Sequence, residues 1–278
     1  MKLEAFFPLA TYPEANTEVA AANAVAFAAG IGAGLHALAI DADIPDVSNT
    51  LSRLLLDTPE MIRRAEVASL KSGEHLLAAV RERASAAGVD VTTDAIAVPL
   101  ASLGDAAARH ARYFDLSLIG WEAGNPTVRM LAEAVIFGSG RPTILLRDVP
   151  TISSIDHVAI AWDGSRVAAR AVADAQPLLE RASRISIITV LDEKPLKEKD
   201  AGERLAARLR HRRLPAEAVP VNAEDCPIAE TLQQTALHRG CKLLVMGGYG
   251  HSRFRDFVLG GATEGIVSDL RLPVLLSH

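Results

Sequence analysis

Aromatic side chains are scarce in this chain, and no long hydrophobic run interrupts it. Aromatic residues make up 4% of the 278 residues, whereas hydrophobic residues make up 49%. Alanine, leucine and valine must therefore fill the interior, which suits helices packed on a parallel sheet. No apolar run reaches the roughly 20 residues that a membrane-spanning helix needs. Glu4 and Pro8 interrupt the N-terminal stretch where a signal peptide would continue apolar. We therefore predict a cytoplasmic protein with no membrane partner.

Cysteine is also scarce, because Cys226 and Cys241 are the only two in the sequence. They show no Cys-x-x-Cys spacing and have no companion histidine pattern of the kind that metal sites use. The sequence therefore predicts two unpaired thiols in or near the core, and neither a disulfide nor a metal site.

The charge is modest and unevenly divided. The formal net charge is −5, with 12 Lys and Arg against 18 Asp and Glu in residues 1–150, and 17 against 16 in residues 151–278. A nucleic-acid-binding protein would normally carry a basic face, so we predict no nucleic-acid partner. The second half, with a net charge of +1, is better suited to an anionic ligand.

Strand and helix patterns alternate through the chain, and the series occurs twice. The predicted strands cover residues 3–9, 35–40, 89–98, 116–119 and 141–146, and then 158–162, 185–190, 217–221, 243–246 and 272–276. Helical patterns lie between them, including a single predicted helix over 166–182. This alternation predicts parallel sheets with helices on both faces. We predict an α/β protein of two tandem five-stranded domains, residues 1–150 and 151–278, joined through a polar seam at 148–153.

The most informative motif follows the predicted strand that ends at Met246. Gly247, Gly248 and Gly250 come next, and a second glycine pair, Gly260 and Gly261, opens a short helical pattern. Glycines let backbone N–H groups approach a ligand closely, and a helix start directs its positive end to the same place. A strand, a glycine loop and a helix start together predict a phosphate cradle.

A second candidate position follows the first strand of the second half, at Asp163-Gly164-Ser165. Asp163 could accept hydrogen bonds from a base or ribose, or it could form a turn before the helix that starts at Arg166. The two roles are compatible, with Ser165 as the better-placed helix cap.

These residues resemble the universal stress protein family. The resemblance rests on Asp163-Gly164-Ser165, on the glycine spacing after Met246, and on the closing Pro273-Val274-Leu275-Leu276. It is close over residues 153–278 and topological over 1–150, as in the tandem bacterial members. It implies Rossmann-like domains packed as an internal pseudo-dimer, with a further homodimer as an option. It also implies binding of ATP or a related adenine nucleotide, with or without magnesium, by Asp163, Val190, Met246, Gly247, Gly248, Gly250, Gly260, Gly261, Ala262 and Thr263.

The sequence departs from the family pattern where a serine or threonine follows the third glycine, because this chain has Gly261 there. The missing hydroxyl is one hydrogen bond to a charged group, worth roughly 1–3 kcal/mol, so we expect affinity about tenfold weaker or more. Thr263 is a partial replacement. His251 and Arg253 are further candidates for phosphate contact, although a solvated loop or a contact with the other domain explains them better.

The first half lacks these features. Ala10-Thr11-Tyr12-Pro13 replaces the Asp-Gly-Ser turn, and Glu122 follows the fourth strand, where it would repel phosphate. We predict that this half binds no nucleotide and acts as a structural partner.

No catalytic constellation stands out. The chain has no G-x-S-x-G elbow and no phosphate-binding P-loop, and we find no dedicated pair of magnesium carboxylates. The sequence predicts a regulatory or stress-adaptation module with an unidentified protein partner and, as an enzyme, at most slow ATP hydrolysis or autophosphorylation. The alternatives are a nucleotide-free interaction scaffold and a nucleotide-dependent α/β enzyme.

Overall fold

The chain forms two compact units. The computed structural model describes residues 2–45, 58–147, 155–192, 200–248 and 261–278. The first unit contains the described residues from 2 to 141, and the second contains residues 142–147 together with those from 155 to 278.

The first unit is a parallel sheet covered by helices. Its strands are β1 (Glu4–Ala10), β2 (Gly34–Asp43), β3 (Val91–Pro99) and β4 (Leu116–Trp121), and its helices are α1 (Glu18–Gly30), α2 (Thr58–Ala87), α3 (Leu103–Ala111) and α4 (Pro126–Gly138). The strand order is β3-β2-β1-β4, and all neighbouring strands are parallel. Residues of β1 and β4 are almost completely buried, as expected of strands covered on both faces.

The second unit repeats this plan with two extra strands. Its strands are β5 (Thr143–Arg147), β6 (His157–Ala161), β7 (Arg184–Val190), β8 (Ala216–Val221), β9 (Leu243–Gly247) and β10 (Val274–Ser277), and its helices are α5 (Arg166–Asp174), α6 (Gln176–Leu179), α7 (Ala201–His211), α8 (Ile228–His238) and α9 (Gly261–Ser268). The strand order is β5-β10-β9-β6-β7-β8. All pairs are parallel except β5 with β10, which is antiparallel.

The predicted strand–helix alternation and the mainly parallel sheet are confirmed, and one strand is grouped differently. Sequence patterns divide the strands five and five, with a boundary after residue 150, whereas contacts group β5 with the second unit because it pairs with β10. An apolar run shows that a strand exists but not which edge it will join. The predicted seam at 148–153 lies outside the described residues.

The helix predicted over residues 166–182 is two helices. The first, α5, ends before Ala175, and α6 begins at Gln176 and contains Pro177. Proline has no backbone N–H to continue the helical ladder and crowds the preceding turn. The apolar periodicity continues through this break, which is why it alone predicted one element.

The strand order sets where a ligand can bind in each unit. In the first unit β1 pairs with both β2 and β4, and in the second β6 pairs with both β7 and β9. The order of strands reverses at these points, and ligands of open α/β sheets bind beyond the carboxyl ends of the strands there. No helix among the described residues is long and apolar enough to cross a membrane.

Candidate functional site

The loop after β6 is a tight polar turn. The Asp163 carboxylate accepts a hydrogen bond from the backbone N–H of Ser165 at 2.9 Å, and Gly164 between them has φ +72°, which favours glycine. Ser165 Oγ then accepts from the N–H of Ala168 at 3.2 Å and caps α5. The predicted cap is confirmed, and Asp163 forms a turn at the carboxyl end of β6.

The next strand ends in Val190, which is 8% exposed. Val190 therefore offers mainly its backbone and an apolar surface. Asp192, two residues later, accepts hydrogen bonds from the N–H groups of Ala223 at 2.7 Å and Glu224 at 2.8 Å. These backbone donors hold the pKa of the Asp192 carboxyl below its usual range. Its charge is used to fasten the loop after β8.

At the end of β9, packing requires a glycine at position 247 but not at position 248. A Cβ atom on Gly247 would lie 2.5 Å from the carbonyl carbon of Val167 and 2.6 Å from the nitrogen of Ala168. The backbone of α5 therefore excludes any side chain at Gly247. A Cβ on Gly248 would make only ordinary contacts, the nearest at 3.7 Å. Close packing of α5 on β9 accounts for Gly247, whereas Gly248 has no such steric requirement.

Helix α9 begins with the second part of the predicted cradle. Gly261 is exposed, and a Cβ placed on it would meet no atom of the described residues within 4 Å. Ala262 is half-buried, and Thr263 is 4% exposed. The Gly261 end of α9 is therefore open, whereas Thr263 is covered. The predicted residues Gly250, His251, Arg253 and Gly260 lie outside the described residues.

Sequence reasoning missed His278, which reaches the start of the glycine loop. The Gly248 N–H donates to the carbonyl of Ser277 at 2.8 Å, and His278 Nδ1 lies 3.2 Å from the Gly248 carbonyl oxygen. The useful signal was its position, since His278 directly follows β10, whose carboxyl end lies beside that of β9.

Trp162 leaves a buried donor beside Asp163. Its backbone N–H donates to the carbonyl of Ile188 at 2.9 Å, but its indole Nε1 is buried and has no acceptor within the described part of the chain. Buried N–H groups of native proteins are nearly always satisfied by protein, water or ligand. Trp162, which directly precedes Asp163, therefore has one buried donor that no described residue accepts.

In the first unit, the carboxylate of Glu122 occupies the region beyond β1 and β4 that corresponds to the candidate site beyond β6 and β9. Glu122 accepts hydrogen bonds from the backbone N–H of Thr17 at 2.8 Å and from the amides of Asn16 and Asn125, each at 3.1 Å. Asn125 in turn caps α4 through two backbone N–H groups. The loops after β1 and β4 are thus tied together across the point where the strand order reverses.

A polar network lies at the opposite, amino edge of the second unit's sheet. Ser186 Oγ contacts His157 Nε2 at 2.9 Å, Arg239 Nε at 3.1 Å and Glu217 Oε1 at 3.1 Å. Arg239 donates to the serine oxygen, and the serine hydroxyl donates to the carboxylate of Glu217. Burial, with smaller contributions from Arg184 and Arg239, lowers the pKa of His157.

Cys241 lies beside this network, near Arg239 and Ser186. Both cysteines are free, and burial raises the pKa of Cys241 to about 11. A thiol with that pKa is unreactive at neutral pH, because the thiolate is the nucleophile. No cluster of three or more His, Cys, Asp or Glu able to hold a metal occurs among the described residues.

Comparisons with known proteins address the fold and the family. Residues 154–278 match the model of the universal stress protein family. A universal stress protein from Archaeoglobus fulgidus is 17% identical, with a TM-score of 0.70 over 99% of this chain and 96% of that chain. A Pseudomonas aeruginosa protein provisionally assigned to the same family is 14% identical, with a TM-score of 0.52 over 99% of this chain and 93% of that one. No curated protein matches.

The solved structures and the family model support different conclusions. At such low identities the solved structures show the fold alone, and they do so over nearly the whole length of the chain. The family model adds a match in sequence for the second unit. Residues 154–278 therefore match the universal stress protein family in sequence, and the solved structures extend that likeness, in fold alone, to nearly the whole chain.

Proposed function

We propose that the second unit binds an adenine nucleotide, ATP in the first instance, and that the protein is a nucleotide-responsive regulatory module. The ligand would lie beyond the carboxyl ends of β6 and β9, with its base and ribose near Asp163 and its phosphates near Gly248 and the start of α9. Binding would be weak, because Gly261 lacks the hydroxyl that the family pattern supplies.

The observation that carries this proposal is the juxtaposition of three ligand-binding features at one edge of one sheet. β6 and β9 are paired neighbours, so the Asp163 turn and Gly248 extend from adjacent strand ends. The open start of α9 follows the glycine loop, and helix starts favour anions. The unused indole N–H of Trp162 supports the proposal further, since a bound ligand would give it an acceptor.

The first unit supports the same assignment by contrast. Its helix α1 begins beside Glu122, whose carboxylate already accepts the Thr17 N–H. A phosphate entering there would meet a negative charge and would have to break the bonds to Asn16 and Asn125. We therefore propose one nucleotide per chain and a structural role for the first unit.

Calorimetric titration of ATP with magnesium into the wild type and Asp163→Asn tests the proposal. Asparagine keeps the oxygen that accepts from Ser165 N–H, so the turn is retained while the charge is lost. We expect ATP affinity to fall by about tenfold, consistent with a lost hydrogen bond involving a charged group. Asp156→Asn is the matched control, because the exposed Asp156 lies at the opposite end of β6, and its affinity should equal that of wild type.

The other outcomes separate the rival functions. Absence of binding in the wild type at millimolar ATP would favour a nucleotide-free interaction scaffold, with Gly261 as the mark of a lost site. Steady phosphate release over many turnovers with magnesium would instead favour a nucleotide-dependent enzyme.

A further inference from the structure

His278 is fixed to the first residue of the glycine loop. Its Nδ1 lies 3.2 Å from the Gly248 carbonyl oxygen, and since a carbonyl only accepts, Nδ1 carries the proton of that hydrogen bond. The Gly248 N–H is held at the same time by the carbonyl of Ser277. Residues 277 and 278 therefore bind both polar groups of the Gly248 backbone.

The pleat of the strands determines the face on which His278 lies. Gly247 and Ser277 are register partners, and the missing Cβ of Gly247 is directed at α5. Successive residues of a strand face opposite sides of the sheet, so Gly248 and His278 lie on the side opposite α5. The crossover from β9 to β10 runs in the opposite direction to that from β6 to β7, so right-handed connections put α9 on that same side.

We propose that His278 is a phosphate-binding residue of the nucleotide site in the second unit, an inference that rests on the proposed function. The imidazole shares with Gly248 and the start of α9 one edge and one face of the sheet. Because Nδ1–H already donates to the Gly248 carbonyl, it is the imidazolium that binds a phosphate oxygen, through its second N–H and its full charge. His278 would offset part of the loss caused by Gly261.

The test uses two histidine replacements that separate contact from positioning. In His278→Asn the side-chain amide can still donate to the Gly248 carbonyl in place of Nδ1, but the ring and its charge are lost. His278→Ala loses both. Titration of ATP and of adenosine, which has no phosphate, into each protein measures the two parts of the ligand separately. His238→Asn is the control, because His238 is exposed at the end of α8, at the amino edge of the sheet.

We expect ATP affinity to fall about tenfold in both His278→Asn and His278→Ala, while adenosine affinity stays at the wild-type value. Wild-type ATP affinity in His278→Asn would overturn the proposal and leave His278 as an anchor for the loop only. An equal loss for ATP and adenosine would also overturn it, because the effect would not come from the phosphates. If the wild type binds neither ligand, the proposed function itself fails, which the first titration shows before any variant is made.

Discussion

At the scale of single residues, two glycines of one motif have different reasons to be glycine. The sequence predicts that Gly247 and Gly261 both belong to a phosphate cradle, and it gives no means of telling them apart. The structure shows that Gly247 is excluded from carrying a side chain by the backbone of α5, whereas Gly261 has open space around it. Close approach of two distant segments depends on tertiary packing, so motif spacing could not reveal it.

Gly247→Ala should therefore destabilise the fold. The new Cβ would lie 2.5 Å from backbone atoms of α5, which cannot move aside as a flexible side chain would. We expect a loss of about 1–3 kcal/mol in the free energy of unfolding, the usual cost of overpacking. Gly248→Ala is the control for urea denaturation, because its Cβ makes only ordinary contacts. Equal stability of the two variants would contradict the packing explanation.

Gly261→Ser should fold as the wild type does and bind ATP more tightly. The Cβ of the added side chain meets no described atom within 4 Å, and its hydroxyl can donate to a phosphate oxygen. Affinity should rise by about tenfold, as for one hydrogen bond to a charged group. Calorimetric titration measures this directly. Unchanged affinity would mean that the loss at this position is not what limits binding.

At the scale of elements, Glu122 connects two loops, a role that its position in the sequence does not reveal. The sequence predicts that a carboxylate after the fourth strand repels phosphate. The structure adds that this carboxylate joins the loop after β4 to the loop after β1 through Thr17, Asn16 and Asn125. Two of these partners, Asn16 and Thr17, lie more than 100 positions away in the chain, which local patterns do not reach.

Removal of that carboxylate should loosen the first unit. Glu122→Ala removes the carboxylate that accepts from the Thr17 N–H and from both asparagine amides, so we expect a loss of about 1–3 kcal/mol in the free energy of unfolding. The control is Asp105→Ala, which removes an exposed pair with Arg109 on α3 and should cost no more than about 1 kcal/mol. Urea denaturation of both variants decides this, and a smaller effect at Glu122 than at Asp105 would refute the tie between the loops.

The elements themselves were largely predictable, since periods of two and 3.6 residues mark strands and helices directly. The exceptions have local or tertiary causes. Pro177 was a visible signal for the break between α5 and α6 that the apolar periodicity concealed. The antiparallel pairing of β5 with β10 was not predictable, because an apolar run in a strand carries no information on the direction of its neighbour.

At the scale of the whole molecule, each unit contains a buried or half-buried histidine with a lowered pKa. Burial is the main cause for His36 and for His157. His36 also stacks on Phe114, with ring centroids 5.1 Å apart, and its neighbours Asp94 and His110 shift its pKa in opposite directions. The pKa of Asp41 in the first unit is shifted in the opposite direction, because burial raises the pKa of a carboxyl.

The free energy of unfolding should therefore decrease as the pH falls below the ordinary pKa of histidine. The unfolded chain binds a proton at each histidine near pH 6.5, while the folded chain resists protonation until a lower pH, so the free energy of unfolding declines as pH falls through this window. His36→Phe keeps a ring in the stack and removes one titrating group. Urea denaturation near pH 8 and near pH 6 should show a smaller decline in this variant than in the wild type. A decline of equal size would show that His36 does not contribute.

The central claim is that one adenine nucleotide binds the second unit beyond the carboxyl ends of β6 and β9. Hydrogen–deuterium exchange with and without magnesium and ATP tests it most directly, because it locates binding along the chain. We expect slower exchange in peptides that cover 157–165, 243–248 and 261–268, with no change in those that cover 4–17 and 116–125. Protection in the first unit, or unchanged exchange throughout at millimolar ATP, would contradict it.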